Sequence, residues 1–161
     1  MFQNDFLSAV AKTGLYGGVM SGIVKLGWEV ILPARTPERD ETNPPQKMLE
    51  QVGVPPEITH STYTYSGHKL PWVSFLMHFG FSISWAAIYA ALAEKFPAVS
   101  KGHGTIFGLF IWILFHIVIL PAVKTIPSAA DQPVEEHISE ALGHSIWMWE
   151  IESARRATHW D

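Results

Sequence analysis

Two stretches of the chain are continuously apolar. From Leu70 to Ala93, and again from Thr105 to Val123, there is no Asp, Glu, Lys or Arg. About 20 apolar residues, rising about 1.5 Å each, carry a helix across the hydrocarbon core of a bilayer. The pattern therefore predicts spanning helices over about 70–95 and 104–126. Two further stretches have the length but not the purity. Residues 6–32 are apolar around Lys12, Lys25 and Glu29, and residues 134–156 hold Glu135, Glu136, Glu140, Glu150 and Glu152. A charge in hydrocarbon is costly and is tolerated where it faces a bundle interior. Both stretches are predicted as spans with inward charges, although the last one taken alone also reads as an interfacial helix.

The expected fold is all-α: a single membrane domain, 1–161, made of four transmembrane helices. The connections are unequal. Residues 33–69 form a polar loop punctuated by Pro33, Pro37, Pro44, Pro45, Pro55 and Pro56. It is expected outside the bilayer, with one short helical turn at Gln46–Val52. Residues 96–103 and 124–133 are short links. Both termini then lie on one side, and the distribution of Lys and Arg over the short loops assigns that side to the cytoplasm. The N-terminal apolar run continues past Ser21 and carries Lys25 and Glu29, unlike a cleavable signal, so it is read as a retained helix.

Composition narrows the classes. Hydrophobic residues make up 48% and charged residues 16%, against about 25% charged in an average soluble domain. Mean hydropathy is +0.14. The net charge of -4 comes with no basic stripe, so nucleic acid is not an expected partner. The absence of cysteine removes disulfides, thiolate metal sites, iron–sulfur ligation and cysteine nucleophiles. No phosphate-binding glycine loop is present, so no nucleotide is expected. With no cofactor motif and no nucleophile in a workable setting, the chain does not read as a conventional enzyme.

The candidate chemistry lies on the helices. Gly14, Gly18 and Gly22 recur every four residues on the first helix. Such a stripe lets helix backbones approach closely, either within the bundle or between copies in a homo-oligomer. Lys25 and Glu29 lie one turn apart, with Arg35 beyond, and form a buried charge pair or an end-of-membrane pair. His78 and His116 each sit mid-span. Each is either a hydrogen-bond partner between helices or a proton carrier or metal ligand. On the last helix Glu136, Glu140 and His144 form a stripe at intervals of four, where a carboxylate and an imidazole can share a proton or clasp one metal ion.

Three blocks carry a resemblance: Ser-Gly-Ile-Val-Lys-Leu-Gly-Trp-Glu-Val-Ile-Leu-Pro-Ala-Arg-Thr-Pro (21–37), Tyr-Thr-Tyr-Ser-Gly-His-Lys-Leu-Pro-Trp-Val (63–73) and Ser-Glu-Ala-Leu-Gly-His-Ser-Ile-Trp-Met-Trp (139–149). Together they resemble the bacterial YagU family of inner-membrane proteins over most of the chain. The resemblance implies roles for Lys25, Glu29, Arg35, His68, His78, His116, Glu136, Glu140, His144, Trp147 and Trp149. It also implies a bacterial inner-membrane location and an association with acid resistance. Two functions follow as expectations. Buried His and Glu residues form a proton or ion pathway, or His78, His116, Glu140 and His144 hold a metal ion or a haem. A third expectation is that the polar network only pins the bundle while the loop recruits a partner.

Overall fold

The computed structural model describes residues 2–32 and 36–158; the expectation for Arg35 lies outside them. Helix α1 (2–31) consists of Phe2–Lys12, a π-helical turn at Thr13–Gly17, and Gly18–Ile31. Short helices α2 (Pro37–Glu41), α3 (Pro44–Gln51) and α4 (Pro56–Thr59) follow, then a hairpin of β1 (Tyr63–Tyr65) and β2 (His68–Leu70). Helix α5 (Trp72–Lys95), helix α6 (105–122) and helix α7 (Val134–Thr158) complete the chain. Within α6, Thr105–Trp112 and Leu120–Ala122 flank a π-helical stretch at Ile113–Ile119.

Polarity is inverted relative to a water-soluble bundle. Trp72–Lys95 and Thr105–Ala122 are long and apolar enough to cross a membrane, yet only 22% and 17% of their most apolar windows are buried. Leu76, Ile88, Ile106, Phe110 and Ile113 point outward, while Lys25, Ser82, Glu136, Glu140, His144 and Glu152 are buried. An apolar exterior around a polar interior is the arrangement that hydrocarbon, not water, stabilises.

The glycine stripe on α1 is used inside the chain. A Cβ on Gly14 would lie 2.9 Å from Ala87 Cβ, one on Gly18 2.5 Å from Ile83 Cα, and one on Gly22 2.8 Å from Phe79 Cδ1. The partners descend in fours as the glycines ascend, so α1 and α5 run antiparallel in close contact. This face is filled and is not open to a second copy of the chain. Helices α6 and α7 meet as closely at Gly108, where a Cβ would lie 2.4 Å from the His144 carbonyl oxygen. Ala86, Tyr89, Ile111, Trp147, Met148 and Ile151 form the apolar core, with Trp85, Phe107 and Phe115 packed around it.

The loop between α1 and α5 is more ordered than its prolines suggest. Pro sits at the first turn of α2, α3 and α4, where its missing N–H costs nothing. Asn43 and Gln46 close a reciprocal capping box on α3. Ser66 and Gly67, both at positive φ, make the two-residue turn that joins β1 to β2 in the register Tyr65↔His68. The loop folds back onto the bundle. Asn43 Nδ2 donates to Ser74 Oγ at 3.0 Å on α5, and Gln51 Nε2 donates to the Val123 carbonyl at 2.8 Å, just beyond α6.

Helix α6 ends at Ala122, earlier than the apolar pattern predicts. Pro121 cannot donate to the helix, and Lys124 adopts φ 60°. The Thr125 N–H then bonds the Leu120 carbonyl at 2.9 Å, a helix stop of the Schellman type.

Candidate functional site

The inward stripe of α7 meets residues from α1, α2 and α6. Glu140 is the common partner. Its Oε2 accepts a hydrogen bond from Lys25 Nζ at 2.9 Å and lies 3.7 Å from His144 Nδ1 and 3.8 Å from His116 Nε2. Its Oε1 faces Arg39 Nη2 at 3.5 Å. Lys25 Nζ also donates to Glu29 Oε1 at 2.6 Å, so the Lys–Glu pair one turn apart forms and extends to a second helix. Arg39 Nη1 pairs with Glu136 Oε1.

Each side chain is positioned for a local reason. Glu136, Glu140 and His144 share one face because four residues nearly complete a helical turn. The His144 Nδ1–H donates to the Glu140 carbonyl at 2.8 Å. A carbonyl only accepts, so His144 keeps its bare nitrogen at Nε2. Lys25 crosses α7 over Gly143, where a Cβ would lie 3.2 Å from Lys25 Nζ and 3.0 Å from Trp28 Cδ1. Trp28 Nε1 donates to the Ser139 carbonyl at 3.0 Å and holds α1 against α7 beside this crossing.

His116 owes its place to the π-helical stretch. The Leu120 N–H bonds the Phe115 carbonyl, five residues back, just ahead of Pro121. Such widened turns are frequent at functional sites. This one brings the His116 ring to 4.9 Å from the His144 ring, edge to face at 77°. Among the described residues, His116 Nδ1, Trp112 Nε1 and Glu136 Oε2 are buried without a hydrogen-bond partner.

Lys25 lies about 9 Å and His144 about 15 Å from the loop-side ends of their helices, at about 1.5 Å per residue. The cluster is therefore inside the bundle. Glu140 and His144 are buried, and the side chain of His116 is 12% exposed. Among the described residues, His116, Glu140 and His144 form a metal-capable group, with ligand atoms within 4.8 Å of one another.

Other residues singled out from the sequence lie elsewhere. His78 bonds the Gly22 carbonyl at 2.8 Å between α5 and α1 and does not join this group. His68 lies on the exposed hairpin. Trp147, one of the residues named by the resemblance, is a core residue whose Nε1 donates to Ser82 Oγ at 2.8 Å. Arg39 was not anticipated, because nothing in the run Pro37–Glu41 distinguishes an inserted arginine from a solvated one.

A second buried carboxylate, among the inward charges expected on the last helix, sits toward the opposite end of the bundle. Glu152 accepts from Tyr89 Oη at 2.9 Å, Arg155 Nε at 2.7 Å and Arg156 Nε at 2.7 Å. Arg155 also reaches Glu94 Oε1 at 2.9 Å. Between the two carboxylates lies the apolar layer of Met148 and Ile151.

Outside the helical bundle, Glu50 is held below the ordinary carboxylate range, chiefly by the Thr59 hydroxyl that donates to it and then by His60.

Residues 19–153 match the family model described as "Protein of unknown function (DUF1440)". The matched region contains the whole Glu140 cluster and Glu152. Among curated proteins, the inner membrane protein YagU of Escherichia coli (strain K12) is 32% identical over 168 residues, covering 91% of this chain and 82% of YagU. No solved structure matches the chain.

Proposed function

The chain belongs to the DUF1440 family together with its relative YagU, and from that premise we propose an integral inner-membrane protein that handles protons or another small cation at the Glu140 cluster. In this reading α1, α5, α6 and α7 all cross the bilayer. The apolar surfaces of α5 and α6 meet lipid, and the charges of α1 and α7 are kept from it by pairing. Both termini lie on the cytoplasmic side, and the folded loop 36–70 covers the other end of the bundle.

One observation carries the reading. Two imidazoles and an ammonium converge on a single carboxylate oxygen, Glu140 Oε2, from three helices. Imidazoles and carboxylates are the side chains that exchange protons in the acid range. Protonation of either ring places a further cation beside Lys25 and Arg39, and the ion pairs around Glu140 must then redistribute. Such a group takes up a proton from one side and passes it on, or lets helix packing follow pH. A role in acid survival is consistent with that behaviour.

The test is proton flux into liposomes across a pH step. The reading expects flux from the wild-type chain and its loss in a His116→Asn, His144→Asn double variant that still elutes as the wild type. Equal flux from the two proteins would refute it. His78→Asn is expected to leave flux intact, because its partner is the Gly22 carbonyl.

A further inference from the structure

We propose that the same interior site takes one divalent transition-metal ion, held by His116, Glu140 and His144, in exchange for the Lys25 ammonium. The inference rests on the reading of the cluster as an ion-handling site and names the ion.

The donor set is suited to such an ion. Two imidazoles and one carboxylate form a borderline N/O set of the kind that zinc, cobalt and nickel ions accept. The ligands come from facing helices, with Glu140 and His144 one turn apart on α7 and His116 opposite on α6, which is how bundle cores build metal sites. Their ligand atoms lie within 4.8 Å of one another. A tetrahedral set with bonds of about 2.1 Å has its ligand atoms about 3.4 Å apart, a difference that rotamer adjustment of side chains can close.

Two independent features point the same way. The His144 Nδ1–H is tied to the Glu140 carbonyl, which fixes the ring and leaves Nε2 as its ligand nitrogen, so the Glu140 carboxylate, which lies 3.7 Å from Nδ1, has to swing toward Nε2 when an ion binds. Ligating imidazoles are commonly oriented by such a bond. His116 Nδ1 is buried without a hydrogen-bond partner among the described residues, while its Nε2 faces Glu140 Oε2 at 3.8 Å. A hydrogen-bonding role alone leaves that ring half used.

Lys25 makes the site exchangeable. Its Nζ lies on the oxygen that a metal would need, at 2.9 Å, and also on Glu29 at 2.6 Å. Glu29 is the more exposed of the two carboxylates, at 34% against 11%. When a dication arrives, the ammonium can leave Glu140 and keep Glu29. No buried cation is then stranded, and like charges do not share one oxygen. Gly143 leaves the space in which this stem swings.

The experiment titrates the chelator-treated, purified full chain in detergent with Co2+ alone and reads visible d–d absorption and calorimetry, with Zn2+ as competitor. The expected result is one saturable equivalent with tetrahedral-type bands that Zn2+ removes. His116→Asn and His144→Asn should each weaken binding by at least the about 10–100-fold that an outer-shell contact is worth. Lys25→Gln should tighten it by about tenfold or more, since a competing cation is gone. Elution volume and helical circular dichroism establish that each variant is folded. The proposal is overturned if folded Lys25→Gln protein binds no Co2+ saturably, or if both histidine variants bind as the wild type does, which would mean an adventitious ion only. Co2+ binding without proton flux would sink the proton reading and keep the metal site. Flux without Co2+ binding would do the reverse.

Discussion

A single methyl group at Gly108 tests whether the α6–α7 contact holds the cluster together. In Gly108→Ala the new Cβ would lie 2.4 Å from the His144 carbonyl oxygen and 2.9 Å from Met148 Cβ. Carbon–oxygen contacts of this kind ordinarily begin at about 3.3 Å, so the helices must separate by about 1 Å. Neither obstacle is the free end of a flexible side chain. The cost falls in the range of about 1–3 kcal/mol for overpacking, partly offset by the about 0.5–1 kcal/mol that alanine gains over glycine in a helix. A net loss of about 1–2 kcal/mol is expected. Reversible unfolding in mixed detergent micelles measures it, with Gly80→Ala as control, because a Cβ there meets nothing within 4 Å. Separation of α6 from α7 also draws His116 away from Glu140, two turns further along. Cobalt affinity and proton flux should therefore fall with stability in Gly108→Ala and stay level in Gly80→Ala. Stability of Gly108→Ala within about 0.5 kcal/mol of the wild type, the range of an inconsequential surface change, would refute the close-contact argument.

Two further outcomes follow from the same contacts. Glu140→Gln removes the negative charge that Lys25, Arg39, His116 and His144 face. It should cost about 1–3 kcal/mol, less than the about 3–5 kcal/mol of a stranded buried charge, because Glu29 stays on Lys25 at 2.6 Å. Adding Lys25→Met should recover part of that loss in the same unfolding assay, and strictly additive losses would contradict the pairing. In the loop, the Thr59 hydroxyl holds the Glu50 carboxyl below its ordinary range. Its contribution to loop order is present above the ordinary carboxylate pKa and is lost as pH falls through the lowered one. Hydrogen exchange over 44–59, taken relative to the intrinsic amide rate at each pH, should rise on acidification through that window. Thr59→Ala should move the rise to higher pH, and an unmoved profile would show that the contact is not what orders the loop.

What could be read from the residue pattern alone was local. Long runs without charge mark α5 and α6, because hydrocarbon excludes ions wherever they fall along a helix. The spacing of Glu136, Glu140 and His144 marks one face of α7, because periodicity belongs to a single helix. Family membership was legible in three blocks, each read without reference to any partner. Contacts between elements were not legible. That Lys25 crosses Gly143 to reach Glu140, while His78 turns to Gly22, depends on the rotation and depth of whole helices, which the close contacts at Gly18 and Gly108 set. His116 joins His144 because a widened turn ahead of Pro121 carries one extra residue. One extra residue turns all that follows by about 100°, and an ideal helical projection therefore misplaces it. Arg39 enters the cluster because a loop rich in proline folds back through its caps onto α5 and α6, and no periodicity within the loop records that. Local rules determine which residues can share a face, while packing between faces determines which of them share a proton or an ion.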